Sequence, residues 1–99
     1  METFACRLST DKLRERKATI ISSLQKKLLD KKELEHGFGY KFDGSDEMLD
    51  QLIAFIKTER MCCGFFAFTL QISGNTNETW LEITGPEGVK EFLNTELGL

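Results

Sequence analysis

The stretch from Phe65 to Thr84 leaves this chain little freedom. Phe66, Phe68, Leu70 and Ile72 alternate with Phe65, Ala67, Thr69 and Gln71, the period of a half-buried strand. Gly74-Asn75-Thr76-Asn77 reads as a hairpin loop, and pairing across it sets Leu70 opposite Leu81 and Phe68 opposite Ile83. A slip of one residue turns an entire apolar set toward water, so the pattern itself specifies the register. Trp80 then falls on the other face, beside Gln71. A chain committed to this hairpin must cover its apolar side with other elements.

Two amphipathic helices supply that cover. Ser9, Thr10 and Asp11 are capping residues, and after them Leu13, Ile20, Leu24 and Leu28 fall on one stripe with Ile21 beside it. If this helix ran to Glu35 it would be about 25 residues, roughly 37 Å, which is long against the short strands around it. An earlier end leaves Asp30 to Glu35 as a polar edge strand that turns through His36-Gly37 into Phe38-Gly39-Tyr40-Lys41-Phe42. Ser45 is the expected N-cap of the second helix, with Asp46 and Glu47 in its dipole-favoured first turn. That helix is expected to bury Leu49, Leu52, Ile53 and Ile56. The same phase puts Cys63 near the core side and leaves Phe55, Glu59 and Cys62 on the flank.

Thr3 to Leu8 also alternates, with Phe4, Cys6 and Leu8 on one side, and reads as a first strand whose Cys6 points into the core. Gly85-Pro86-Glu87-Gly88 opens a last helix with proline at its first position, from which Val89, Phe92 and Leu93 pack inward. The order is β-α-β-β-α-β-β-α. This gives an α+β fold class, a ferredoxin-like two-layer sandwich with an additional C-terminal strand and helix, as a single domain over residues 1–99. No sequence repeat, linker or low-complexity segment interrupts it.

Composition narrows the function classes. Three cysteines, no secretory h-region after Met1-Glu2-Thr3-Phe4 and no long apolar run lead us to expect a soluble cytoplasmic protein with reduced thiols and no membrane contact. The net charge of −3 hides an asymmetry: eight of the thirteen lysines and arginines lie between Lys12 and Lys32. Such a basic helix can meet phosphates, yet the whole chain is acidic and has no aromatic-basic stacking platform, which argues against nucleic acid. Packing of the basic face on an acidic second protomer or a protein partner fits the charge pattern better.

The chemically unusual segment is Glu59-Arg60-Met61-Cys62-Cys63-Gly64-Phe65, where a helix hands over to a strand across two adjacent thiols. At Glu59-Arg60-x-Cys62-Cys63-x-Phe65-x-x-Phe68, followed by Thr84-Gly85-Pro86-Glu87-Gly88, the chain resembles a group of small bacterial proteins of unassigned function. Glu33-Leu34 ahead of Gly37 and the aromatic strand to Phe42 extend the likeness over most of the chain. Gly64 stands where members often carry proline. The resemblance implies a family and a fold and brings no activity with it.

Adjacent cysteines can do three things. As thiolates they can hold a soft ion such as Cu(I), Hg(II) or an arsenite-like species. They can close a strained vicinal disulfide that reduces easily. Or they can serve as small apolar residues at a helix end. Neighbours on a helix differ by about 100° and on a strand they face opposite sides, so only an irregular junction brings both sulfurs together. The pair lacks the two-to-four-residue spacing of structural zinc sites. Cys6 is a candidate third ligand, against which stands its reading as a buried core cysteine. Glu59 and Arg60 either tune this site or form an exposed pair at a solvated helix end.

Other features carry less. His36 reads as a turn residue apart from the thiols. The Gly85–Gly88 loop can cradle an anion, although Glu87 already supplies negative charge there. Phe65 and Trp80 offer apolar surface outside the expected core, and Gly37 and Gly39 leave one strand face bare, which suits a second protomer or a ligand. No catalytic constellation is recognisable. A binding module with a vicinal-cysteine site and an interaction domain with packing cysteines are the two readings the sequence supports.

Overall fold

A computed structural model describes residues 11–62, 64–74 and 78–99; the side chains of Asp11, Lys12, Leu13, Arg14, Cys62 and Glu96 lie outside that description. The elements are α1 (Asp11–Lys27), β1 (Asp30–Leu34), β2 (Gly37–Phe42), α2 (Asp46–Cys62), β3 (Ala67–Ile72), β4 (Thr79–Thr84), α3 (Val89–Phe92) and a π-helical turn (Leu93–Leu97). They form an α+β fold whose four strands run antiparallel in the order β1-β2-β4-β3. Leu70 lies opposite Leu81 and Phe68 opposite Ile83, the register the alternation calls for. Phe38, Tyr40, Phe42, Leu81 and Ile83 share one face, and Ile21, Leu24, Met48, Leu52, Phe55, Val89, Phe92, Leu93 and Leu97 close the core above it.

The local signals act as expected at several places. Helix α1 stops at Lys27, and the charged segment after it becomes edge strand β1. Ser45 caps α2: its Oγ accepts from the Met48 N–H at 3.2 Å, while Asp43 Oδ1 accepts from the Ser45 N–H at 2.8 Å. Bonding to Ser45 holds the Asp43 carboxyl below its usual range.

Three expectations need correction. First, the buried stripe of α2 is Met48, Leu52, Phe55 and Glu59, whereas Leu49 and Ile56 are only half-buried and Ile53 is 41% exposed. The phase follows the bulkier Met48 and Phe55, which bring more apolar surface to the core than the two isoleucines. Second, the last helix starts at Val89 with Gly88 as its cap at φ 94°, so Pro86 lies in the preceding turn, where its carbonyl accepts from the Val89 N–H at 3.1 Å. Third, a ferredoxin-like order places the first strand between β2 and β3, and among the described residues that place belongs to β4. The stretch from Thr3 to Leu8 lies outside the described residues.

The described elements make two successive helix-strand-strand units, α1-β1-β2 and α2-β3-β4, joined where β2 pairs β4. The two helices are antiparallel: Lys17 meets Glu59 at 3.2 Å, and farther along α1 Ser23 donates to Gln51 Oε1 at 2.9 Å. The C-terminal residues lock onto the first unit. Gln25 Nε2 donates to the Leu97 carbonyl at 2.7 Å, and Lys31 Nζ reaches the Leu99 main-chain oxygen at 2.7 Å and Asn94 Oδ1 at 2.8 Å.

The single tyrosine of the chain, Tyr40, is fully buried, and its hydroxyl has no hydrogen-bond partner among the described residues. Burial raises its pKa far above the ordinary tyrosine range. A raised folded-state value stabilises the fold fully below about pH 10, and that contribution is lost as pH climbs toward the folded value. Absorbance titration should therefore show no tyrosinate until the protein unfolds in alkali. Tyr40→Phe, which deletes an unpaired buried hydroxyl, should stabilise the protein by about 1 kcal/mol in urea; a loss of that size instead means the hydroxyl is satisfied in solution.

Candidate functional site

Glu59 is the one carboxylate among the described residues that is fully buried. It sits one turn before the end of α2 because it occupies the helical phase of Leu52 and Phe55, and it is held there by Lys17 of α1, whose side chain is 13% exposed. The expectation of a solvated Glu59-Arg60 pair is thus corrected: Arg60 is exposed, and Glu59 belongs to the helix–helix interface. A buried charge is tolerable only with a close counter-charge, which the stripe of α1 provides.

Helix α2 ends at Cys62, and a turn follows at Gly64 and Phe65 before β3 begins. Cys6 and Cys63 lie outside the described residues, as does the side chain of Cys62. Antiparallel packing on α2 brings the Asp11 end of α1 to this same end of the molecule.

The β1–β2 turn that carries His36 comes to this end too. The Gly85 N–H donates to the His36 carbonyl at 3.0 Å. A Cβ on Gly85 would stand 3.3 Å from the Phe65 carbonyl oxygen. The β1–β2 turn, the β4–α3 loop and the α2–β3 junction are therefore neighbours. Sequence reasoning missed this because it follows from β4 lying between the other two strands. Between the turn and the loop opens a cleft of about 700 Å³, lined by Glu35, His36 and residues 85–91. His36 itself is solvated, with Glu35 at 3.8 Å.

Phe65 and Trp80 do not form the bare apolar surface expected of them. Phe65 packs edge-on against Phe66 and Phe92, with ring centroids 4.6 and 5.5 Å away, because α3 swings over it. Trp80 lies on the face of the sheet opposite the core, where the Lys32 ammonium sits 4.5 Å from its ring. Lys32 also pairs with Glu82 at 3.6 Å, and Lys41 pairs with Glu78 at 2.9 Å. The hydrogen bond from Lys41 and its charge hold the Glu78 carboxyl below its usual range, with smaller help from the Trp80 indole and Lys32. Gly37 and Gly39 are not bare either. The Lys32 chain lies over Gly39, and the Ile83 carbonyl occupies the space of a Gly37 side chain.

The described residues contain no group of three or more histidine, cysteine, aspartate or glutamate side chains placed to hold a metal ion. No described helix is long and apolar enough to cross a membrane. No protein-family model, curated protein or solved structure matches the chain.

Proposed function

We propose that the protein is a non-enzymatic binding module in which Cys62 and Cys63 capture a soft, thiophilic species, with Cu(I), Hg(II) and arsenite as the chemical class. Thiolate sulfur selects soft cations, and two adjacent thiolates can act together only where the backbone is neither regular helix nor regular strand. The observation that carries the proposal is the end of α2 at Cys62 with a turn at Gly64 and Phe65. The Lys17–Glu59 pair one turn earlier anchors that end of the helix. Captured Cu(I) or Hg(II) displaces the thiol protons to solvent, so uptake of these two ions strengthens as pH rises, whereas arsenous acid takes the two thiol protons away as water when its hydroxides leave. The reading requires a reducing compartment such as the cytoplasm.

Titration calorimetry under anaerobic conditions tests it. Wild-type protein should bind one equivalent of Cu(I), or of Hg(II) or arsenite, and Cys62→Ser/Cys63→Ser should lose at least about 100-fold in affinity, about 2.8 kcal/mol. Equal heats from both proteins with all three ions overturn the proposal. Cys6→Ser separates a third ligand, which weakens binding, from a packing residue, which leaves it unchanged.

A further inference from the structure

The face of the sheet turned away from the helices holds a cation on an aromatic ring, and the cation is the chain's own. Lys32 on β1, Gly39 on β2 and Glu82 on β4 stand in one cross-strand row, with Lys41 and Trp80 in the next. Because Gly39 has no side chain, the Lys32 stem lies flat across β2: a Cβ on Gly39 would stand 2.8 Å from its Cε, 3.0 Å from its Cγ and 3.4 Å from its Cδ. The stem crosses that strand and delivers its ammonium 4.5 Å from the Trp80 ring centroid and 3.6 Å from Glu82 Oε2. A trough floored by glycine thus ends on an aromatic plate beside a carboxylate.

The neighbouring charges are matched to each other. Lys41 pairs with Glu78 at 2.9 Å, and the Trp80 indole N–H bonds the same carboxylate, which holds the ring in place. Lys32 is held more lightly. Its side chain is 46% exposed and that of Glu82 30%, so both its ion pair and its ring contact are of the weak, solvated kind, and a flexible stem can carry the ammonium to water. Withdrawing it uncovers ring, carboxylate and glycine floor together.

We propose that this trough is a binding site for an alkylammonium group, the side chain of a lysine or a free amine of like length, with Lys32 as a competitor built into the fold. The Trp80 face attracts the cation, Glu82 supplies the counter-charge, and Gly39 leaves room for the methylenes. A lysine stem already fits the space, which sets the size of the guest. Because Lys32 fills the seat for part of the time, the apparent affinity of a visitor falls in proportion to the fraction left open. The site makes no use of the thiols, so neither proposal depends on the other.

Trp80 is the single tryptophan of the chain, so its indole N–H resonance reports on this site alone. The full chain is titrated with n-butylammonium chloride to about 100 mM, the weak range of a ligand of about five heavy atoms, against sodium chloride at equal ionic strength. The resonance should follow a saturating curve with butylammonium and stay in place with sodium. Lys32→Ala should tighten binding at least about threefold by removing the competitor. Glu82→Gln should weaken it at least about threefold by removing the counter-charge. N-acetyl-lysine N-methylamide distinguishes the sources: binding at least about fivefold tighter than butylammonium marks a lysine within a polypeptide, and a smaller difference marks a free amine. No butylammonium-specific shift in the wild type and Lys32→Ala overturns the proposal. So does equal affinity in these two proteins, because the ammonium then binds elsewhere. If Lys32→Ala loses the dispersed spectrum of the fold, Lys32→Gln replaces it with the same expected result.

Discussion

Replacing Lys17 by methionine is expected to cost about 3–5 kcal/mol of folding stability in urea denaturation, because it removes the cation that lies 3.2 Å from a fully buried carboxylate. The converse change, Glu59→Gln, should cost less. The Lys17 side chain retains 13% exposure and can carry its ammonium to water along a flexible stem, whereas Glu59 has no exposure at all. Combining Lys17→Met with Glu59→Leu should recover most of the loss, since a well-packed apolar pair can replace a buried ion pair at little cost. With Glu59→Leu measured as the second single variant, the cycle of Lys17→Met, Glu59→Leu and their combination isolates the coupling between the two side chains. Single variants that each cost under about 1 kcal/mol would mean that the pair is solvated and worth no more than a surface bridge.

Gly37→Ala should destabilise by at least about 3 kcal/mol, with β2 and β4 unable to keep their spacing. A Cβ at this position would approach the Ile83 carbonyl oxygen and lie 2.8 Å from its carbon and from the Thr84 Cα; these are main-chain atoms of the central strand and cannot rotate aside. Gly39→Ala is the control. There the obstruction is the Lys32 side chain at 2.8 Å, a flexible stem that swings away, and the expected loss is under about 1 kcal/mol together with changed Trp80 fluorescence as the ammonium leaves the ring. Equal losses at the two glycines would contradict the close approach of β4 at Gly37.

Much of this architecture is legible in the residues because local chemistry and tertiary packing agree. The β3–β4 register, the charged edge strand after α1 and the Ser45 cap are each written in a short pattern that the fold has no reason to override. What could not be read depends on distant partners. Nothing near Glu59 in the sequence announces Lys17, forty-two positions earlier, so a buried glutamate reads as a solvated one. The face of α2 was misread because Ile53 and Met48 are both apolar, and only the neighbouring layer decides which is buried. The place of β4 between β2 and β3 was hidden for the same reason. It sets the His36 turn beside the β4–α3 loop, at the end of the molecule where α2 terminates. The thiol pair itself was evident from sequence as a chemical oddity, and its role rests on the binding measurement.

The twofold succession of helix, strand and strand bears on how the chain finds its shape. Each unit closes through near neighbours, a short hairpin beneath its own helix, and one ladder, from Gly37 opposite Thr84 to Phe42 opposite Thr79, stitches the halves. That seam joins positions dozens of residues apart and must await a large loop closure, so it governs the barrier to folding more than either hairpin does. Substitutions along the seam should slow refolding, while those at the outer hairpins should chiefly hasten unfolding.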